Sequence, residues 1–422
     1  MTLRSMNNYI CALDIGSSKI SAILAQIRKG EIISMCFTTQ PSAGVKNGAI
    51  VDSIELVDAV GRVIKELKAR SGVKIKSIYT NISGEDMITK HSRGVIPLAQ
   101  RGSKVITSTD IDKVIEQARI LGSNIDDEII HQIPFSYAVD HKSDVANPIE
   151  LYGHRLEVDL FLICAKLASV QTITHVLNQA GFEAKELTFS GLATSEAVFS
   201  PELKNGTNVI CDFGSDITEL LIFKDGILRN LQIFPIGGND FSVVLADSLN
   251  IPLSLAEDIK VEQGVIGECS LMREDKEVLI RRDNDYKPIK QRLVCEIMTS
   301  KAKSIGQAIK DAVEKNVYLS DINNFIVTGR TMQQEGFLES LESTLGISVE
   351  LGRISHPALT KFLNNNPELS GHKYLTYITA MGMVAKGLPG YLPKTSAMPQ
   401  PYSDNLLARL VYKAREIYQE YF

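Results

Sequence analysis

The run Ile10-Cys11-Ala12-Leu13-Asp14-Ile15-Gly16-Ser17-Ser18-Lys19-Ile20 has an echo about two hundred residues later. There the chain reads Val209-Ile210-Cys211-Asp212-Phe213-Gly214-Ser215-Asp216-Ile217-Thr218-Glu219-Leu220. Each copy is an apolar run, then Asp, an apolar residue, Gly, small or polar residues, and a second apolar run. That order reads as strand, turn and strand. Two such hairpins constrain the fold to a duplication, with the two turns facing each other across a cleft. A buried strand delivers Asp14 to the mouth of that cleft. Gly16 permits close backbone approach, so the N–H groups of Gly16, Ser17 and Ser18 can point at one anion, and Lys19 adds a cation. Asp14 and Asp212 together suit a hydrated Mg²⁺, which keeps several waters and needs few carboxylates. One Asp-x-Gly-Ser alone is an ordinary hairpin turn. The pair points to a nucleotide held between two halves of the chain.

Length supports that division, since 422 residues exceed one ordinary core. Hydrophobic residues make up 44% and charged residues 23%, the composition of a soluble globular protein. A net charge of −5 gives no electrostatic case for nucleic acid as a partner. No apolar run reaches bilayer-spanning length, and Met1–Asn8 has no apolar core of a secretory signal. The six cysteines lack metal-ligand spacing. Cys11, Cys164 and Cys211 lie in apolar strand runs and read as buried small hydrophobes, so a reduced, cytoplasmic protein is expected.

Periodicity divides the chain further. Strands Tyr9–Leu13, Ile20–Ile27 and Glu31–Phe37, helix Ile54–Ala69 (Ile54, Val57, Val60, Ile64 and Leu67 on one face) and strand Ile75–Ile82 begin the first lobe. From 84 to 166 the pattern changes to short strands, Gly94–Leu98 and Leu156–Cys164, around helix Asp110–Leu121, capped by Ser108 or Thr109. The first lobe resumes with helices Val170–Ala180 and Ala193–Phe199. The second opens with strands Asn208–Phe213, Ile217–Phe223 and Ile227–Phe234, and a helix at Phe241–Leu249. Strand Phe325–Thr328 ends in a turn at Gly329, and helices Gln333–Leu345 and Lys373–Lys386 close the lobe. The expected organisation is a first lobe core (1–83 and 167–206) with an insertion (84–166). A second core (207–252 and 319–387) has its own insertion (253–318). A Pro-rich tether (388–402) and a terminal helix (403–422) follow.

That terminal helix is amphipathic. Leu406, Leu407, Leu410, Val411, Ala414, Ile417, Tyr418 and Tyr421 form one apolar stripe, with Phe422 at its end. Arg409, Lys413 and Arg415 balance Asp404, Glu416 and Glu420, so apolar burial rather than charge must hold it to a surface. The stripe suits a membrane interface, or packing on its own domain or on a partner.

At this point the residues resemble the FtsA family of bacterial cell-division proteins, in the actin/Hsp70 superfamily, over nearly the whole chain. Tyr9–Lys19 looks like that family's first phosphate loop, and Asp212, Gly214, Ser215 and Thr218 fall on the second. Asn47-Gly48-Ala49-Ile50-Val51-Asp52 resembles its G-x-I-x-D segment. His131-Gln132-Ile133-Pro134-Phe135-Ser136-Tyr137-Ala138-Val139-Asp140 resembles its H-x-I-P-x-x-Y-x-V-D run, the most specific match. Ser190–Val198 is similar to the first connecting helix. Glu196 falls at the superfamily's water-positioning residue, or is an ordinary surface acid. Ile236–Phe241 resembles the Gly-Gly helix start, with Gly237 and Gly238. Ala256-Glu257-Asp258-Ile259-Lys260 looks like the segment whose Glu and Lys approach the nucleoside, although Ser254 and Glu257 also have capping-box spacing. Thr328-Gly329 matches the start of the adenosine motif.

The resemblance implies an α/β, duplicated actin-like (ribonuclease H-like) fold with two inserted subdomains. It implies ATP and Mg²⁺ as ligands and, at most, a slow ATPase. It further implies actin-like protofilaments, binding of the C-terminal tail of FtsZ through 253–318, contacts with other division proteins through the first insertion, and membrane attachment through the terminal helix. The location would be the inner face of the cell membrane at the division site. Departures from the family pattern are Ser215 and Asp216 in place of a Gly pair, Ser242-Val243-Val244 in place of a T-N-D run, and Arg330 in place of the second Gly of Thr-Gly-Gly. Arg330 would either stack on the adenine face or fill the site. Other readings are a scaffold that no longer binds nucleotide tightly, an actin-like pilus-assembly protein, and a sugar kinase. The kinase reading is disfavoured by the lack of a substrate-binding constellation.

Overall fold

A computed structural model describes residues 8–98, 102–200, 203, 205–269, 277–282, 285–363 and 366–388. The tether beyond residue 388 and the helix 403–422, with Leu406, Leu407, Leu410, Val411, Ile417, Tyr418, Tyr421 and Phe422, lie outside the described residues. Among the described residues no helix is long and apolar enough to cross a membrane.

Two five-stranded sheets repeat one topology. In the first, the order is Glu183–Phe189, Ser77–Ile82, Asn8–Ile15, Lys19–Arg28, Glu31–Pro41. In the second it is Glu350–Leu351, Ile322–Thr328, Thr207–Phe213, Thr218–Lys224, Ile227–Phe234. In both, the Asp-bearing strand pairs antiparallel with the next strand in sequence and parallel with a later one. The hairpin strands are apolar almost throughout because both sheet faces are covered.

Helix Ser53–Ser71 covers the first sheet. Asp52 caps it by accepting from the amides of Ile54 and Glu55, and Gly72 ends it at φ 68°. Leu56, Ala59, Val60, Val63, Ile64 and Leu67 are buried against the sheet, whereas Ile54, in the first turn, is exposed. Between the two sheets run two short helices, Ser190–Val198 and Ile378–Lys386. They cross where Gly382 meets Ala193. A Cβ on Gly382 would stand only 1.6 Å from the Ala193 carbonyl oxygen. Helical periodicity extends the second of these back to Lys373; the chain is instead a 3₁₀ turn at Lys373–Thr376, then the helix. In the same way Gln333–Leu345 resolves into a 3₁₀ turn at Arg330–Gln333 and helix Phe337–Leu345.

The first insertion is a four-stranded antiparallel sheet, ordered Lys142–Val145, Asp127–Val139, Arg155–Lys166, Met87–Pro97. Helix Ser108–Gly122 packs on one face. Its N-cap is Thr107 rather than Ser108 or Thr109, because the Asp110 carboxylate accepts from both the amide and the hydroxyl of Thr107. The strand Asp127–Val139, for which periodicity gives no signal, contains the His131–Val139 motif and an internal proline. Pro134 is tolerated because the ladder shifts register there. That bulge frees the Phe135 carbonyl to accept from Arg229 of the second lobe at 3.0 Å, while the Arg229 guanidinium lies over the Phe135 ring.

The second insertion comprises helix Leu253–Gln263, the hairpin Glu277–Arg282 and Asp285–Lys290, and the long helix Gln291–Glu314. The expectation of six reduced cysteines is corrected here. Cys269 is joined to Cys295 across 26 residues, with Cα atoms 5.8 Å apart. Spacing along the chain carries no sign of this pairing. Cys11, Cys164 and Cys211 are free and buried.

Candidate functional site

The two Asp-x-Gly turns open into one cavity of about 840 Å³. That volume suits a single nucleotide-sized ligand. The repeated register explains the lining. Asp14 stands directly opposite Ser21, and Asp212 directly opposite Glu219, each pair beside its own turn. Directly opposed residues share a sheet face, so the second hairpin presents two carboxyl groups to the cleft where the first presents one.

Asp14 is buried and firmly held. It accepts from Asn81 Nδ2 at 3.0 Å and from Lys19 Nζ at 3.1 Å. Asp212 accepts from the Thr194 hydroxyl at 2.9 Å. Its depth in the cleft raises its carboxyl pKa. The Thr194 hydrogen bond opposes this, and the charge of Asp14 adds to it. Glu219 is the residue that sequence reasoning missed. It is 3% exposed and accepts from the Ser83 hydroxyl through Oε1, while Oε2 has no hydrogen-bond partner among the described residues. Burial first, then the charges of Asp212 and Asp14, push its carboxyl well above the usual range. The cleft therefore favours the protonated form of Glu219.

The turns themselves are tight. Gly16 N–H donates to the Lys19 carbonyl at 3.0 Å and Gly214 N–H to the Ile217 carbonyl at 2.9 Å. These two amides close their own turns. The amides of Ser17 and Ser18 make no hydrogen bond among the described residues and remain for an anion. Lys19 is engaged locally, for its ammonium donates to Asp14, to Ser21 Oγ at 3.0 Å and to the Thr376 carbonyl at 2.6 Å. All three of its donors are used within the protein.

Ser215 and Asp216 line the second turn, and neither adopts positive φ. Losing glycine there costs no backbone strain. The Asp216 carboxylate accepts from the Asn47 amide at 2.8 Å and from the Asn239 side chain, which ties it to the G-x-I-x-D segment of the other lobe. Gly237 and Gly238 start helix Asn239–Leu249, but their amides go to Asp240 Oδ2 at 2.8 Å and the Gly214 carbonyl at 3.0 Å. A Cβ on Gly237 would stand 2.4 Å from the Ser215 carbonyl oxygen, so these glycines let the helix start nest under the turn. Thr218 is buried and donates to the Ile236 carbonyl at 2.6 Å, away from the cavity.

Glu257 and Lys260 do line the cavity. Helix Leu253–Gln263 begins after Pro252, and Glu257 takes no part in a capping box. Lys260 donates to Glu257 at 2.6 Å and to the Gly238 carbonyl at 3.2 Å, and Ser242 donates to Glu257 as well. Burial would raise the Glu257 carboxyl, but the bonds from Lys260 and Ser242 hold it below its ordinary range. Gly329 (φ 92°) passes close to the Phe213 carbonyl, a conformation that favours glycine. Arg330 follows it at the cavity's edge. Glu196 is half-buried and outside the cavity lining. Its helix turns Ser190 and Thr194 toward Asn81 and Asp212, and a two-residue step rotates Glu196 by roughly 200°.

No group of three or more His, Cys, Asp or Glu side chains among the described residues is arranged to hold a bare metal ion. Asp14 and Asp212 line the same cavity, and a hydrated Mg²⁺, which needs few carboxylates, suits such a pair instead. The two free amides of the first turn, the paired aspartates and the volume together fit a nucleotide polyphosphate with Mg²⁺.

Comparison with known proteins bears on both the insertion and the second lobe. The model of the SHS2 domain inserted in FtsA matches residues 84–164, and that of cell division protein FtsA matches residues 209–382. The chain belongs to the FtsA family. The FtsA of Borreliella burgdorferi is 28% identical over 350 residues, covering 82% of this chain and 84% of that protein. The FtsA of Pseudomonas aeruginosa is 24% identical over 387 residues, covering 90% and 89%. Among solved structures, a PilM–PilN type IV pilus biogenesis complex superposes with a TM-score of 0.62 at 15% identity, covering 90% of this chain and 98% of that one. EutJ of Carboxydothermus hydrogenoformans gives 0.50 at 16% identity, covering 90% of each. These two likenesses establish the actin-like fold alone.

Proposed function

We propose that this chain binds ATP with Mg²⁺ between its lobes and uses the bound nucleotide to govern assembly of an FtsZ–membrane tether. The observation that carries the reading is the repeated hairpin, which sets Asp14 and Asp212 across one nucleotide-sized cavity in an FtsA-family chain. Asp14, fixed by Asn81, and Asp212, fixed by Thr194, would hold the hydrated Mg²⁺. Mg²⁺ would supply charge neutralisation for the phosphates. The Ser17 and Ser18 amides would take phosphate oxygens, and Glu257 with Lys260 would face the nucleoside. Glu219 Oε2 is the carboxyl atom available in the cleft to carry a proton. A carboxyl whose surroundings favour its protonated form is ill suited to act as a base, so turnover is expected to be slow, in keeping with a regulatory site.

The outer surfaces complete the reading. Residues 253–318 would receive the FtsZ tail, and the chain would self-associate into actin-like protofilaments. The stripe Leu406–Tyr421 would lie in the inner face of the cell membrane at the division site, with its net charge near zero leaving attachment to apolar burial. Vesicle flotation with FtsZ tests this. The wild-type chain with ATP and Mg²⁺ should float and carry FtsZ with it. The double variant Leu410→Glu, Ile417→Glu should stay in solution. Flotation of that variant at the wild-type level, or wild-type flotation without FtsZ, would reject the tether.

A further inference from the structure

Three cations line the cleft among the described residues: Lys19, Lys260 and Arg330. Two of them are already committed. The Lys19 ammonium spends its three donors on Asp14, Ser21 and the Thr376 carbonyl, and its side chain is 15% exposed. Lys260 is ion-paired to Glu257 at 2.6 Å and bonded to the Gly238 carbonyl. Arg330 differs in every respect. It is exposed, and it has no carboxylate partner within ion-pairing distance among the described residues. Its one hydrogen bond there runs from Nη2 to Ser18 Oγ at 2.9 Å.

The root of Arg330 is fixed, while its head is held by a single hydrogen bond among the described residues. Gly329 is pressed against the second turn, and Thr331 Oγ1 donates to the Gly214 carbonyl of that turn at 2.7 Å. The side chain thus starts on one phosphate turn and ends on the hydroxyl of the other. A polyphosphate lying between the turns has to pass the guanidinium. Four of its five N–H donors remain, in a planar fork that matches phosphate oxygens. The rest of the lining is rich in acid, with Asp14, Asp212, Asp216, Glu219 and Glu257 all present. An anionic ligand entering such a cleft needs an uncommitted cation, and Arg330 is the one available.

We propose that Arg330 is the polyphosphate-binding residue of this cleft: on ligand entry it exchanges the Ser18 hydroxyl for phosphate oxygens and joins the two lobes through the ligand. It is neither a stack for the adenine ring nor a plug. This rests on the nucleotide reading of the cleft, and makes the phosphates rather than the nucleoside the part of the ligand that this chain recognises by charge.

The test is calorimetric titration of the full chain and of Arg330→Ala and Arg330→Lys with ATP–Mg²⁺, ADP–Mg²⁺ and adenosine. Thermal melts serve to show that the variants are folded. Loss of a charge-assisted, forked contact should weaken ATP and ADP roughly ten- to hundredfold. Adenosine binding should be unchanged, and Arg330→Lys, which keeps the charge without the fork, should fall between. If Arg330→Ala binds ATP as tightly as wild type or more tightly, the side chain is a bystander or a plug, and the proposal falls while the nucleotide site stands. If neither wild type nor variants bind ATP, ADP or adenosine, the nucleotide reading itself fails and takes the proposal with it.

Discussion

Replacing Gly382 by alanine probes the crossing of helices Ser190–Val198 and Ile378–Lys386 at the base of the cleft. The added methyl would stand 1.6 Å from the Ala193 carbonyl oxygen, whereas ordinary contact begins at 3.4 Å. The helices would have to part by about 1.8 Å. No rotamer change can relieve this, because both atoms belong to backbone or Cβ. Overpacking of a closed core costs about 1–3 kcal/mol, and a backbone clash belongs at the upper end. Alanine recovers about 1 kcal/mol through its better helix propensity. The net expectation is a loss of about 2 kcal/mol. The displacement also strains the Thr194–Thr379 hydroxyl contact of 3.1 Å, and with it the hydroxyl that holds Asp212. Urea unfolding gives the stability change, and ATP titration the effect on the site. A Gly382→Ala chain as stable as wild type, with unchanged ATP affinity, would refute the close crossing.

Glu219→Gln should stabilise the nucleotide-free chain at alkaline pH. The folded carboxyl is held well above its unfolded value, so its contribution is fully present below about pH 4.3 and is lost as pH rises toward the folded pKa. Glutamine, neutral at every pH, avoids that loss, so the variant's advantage in urea unfolding should grow as pH rises above about 4.3; an advantage that is flat or shrinks would contradict the raised carboxyl pKa. Arg229→Ala removes both the bond to the Phe135 carbonyl and the cation–π contact, which should cost about 1–2 kcal/mol and loosen the insertion from the second lobe. Hydrogen exchange across 127–139 should quicken, and unchanged exchange there would show that the bulge does not anchor the insertion.

Much of the scaffold is legible in the sequence because it is local. Each Asp-x-Gly turn declares itself by its apolar flanks, and Asp52 and Gly72 bracket their helix as cap chemistry requires. Glu219 is within reach of the same reasoning. A turn closed from Gly214 to Ile217 sets residue 212 opposite residue 219. Matching the two copies by residue type hides it, because the first copy has Ser21 at the equivalent place. Glu196 stands out in the sequence through its match to the superfamily's water-positioning residue, although a two-residue step from Thr194 turns it away from Asp212. Other features depend on distant chain. Lys19 looks like a phosphate cation until Thr376, 357 residues away, accepts one of its hydrogen bonds. The strand through Pro134 makes sense only with the bulge that offers Phe135 to Arg229, and Cys269 finds Cys295 only once the second insertion has folded.

The central claim is that the two hairpins form one Mg²⁺-dependent ATP site. Calorimetric titration of the full chain with ATP, with and without Mg²⁺, tests it most directly. One ATP should bind per chain, with affinity that rises on adding Mg²⁺ and falls when Asp14 or Asp212 is replaced by Asn. A folded wild-type chain that takes up no ATP, or one whose affinity ignores Mg²⁺ and both aspartates, would contradict the account.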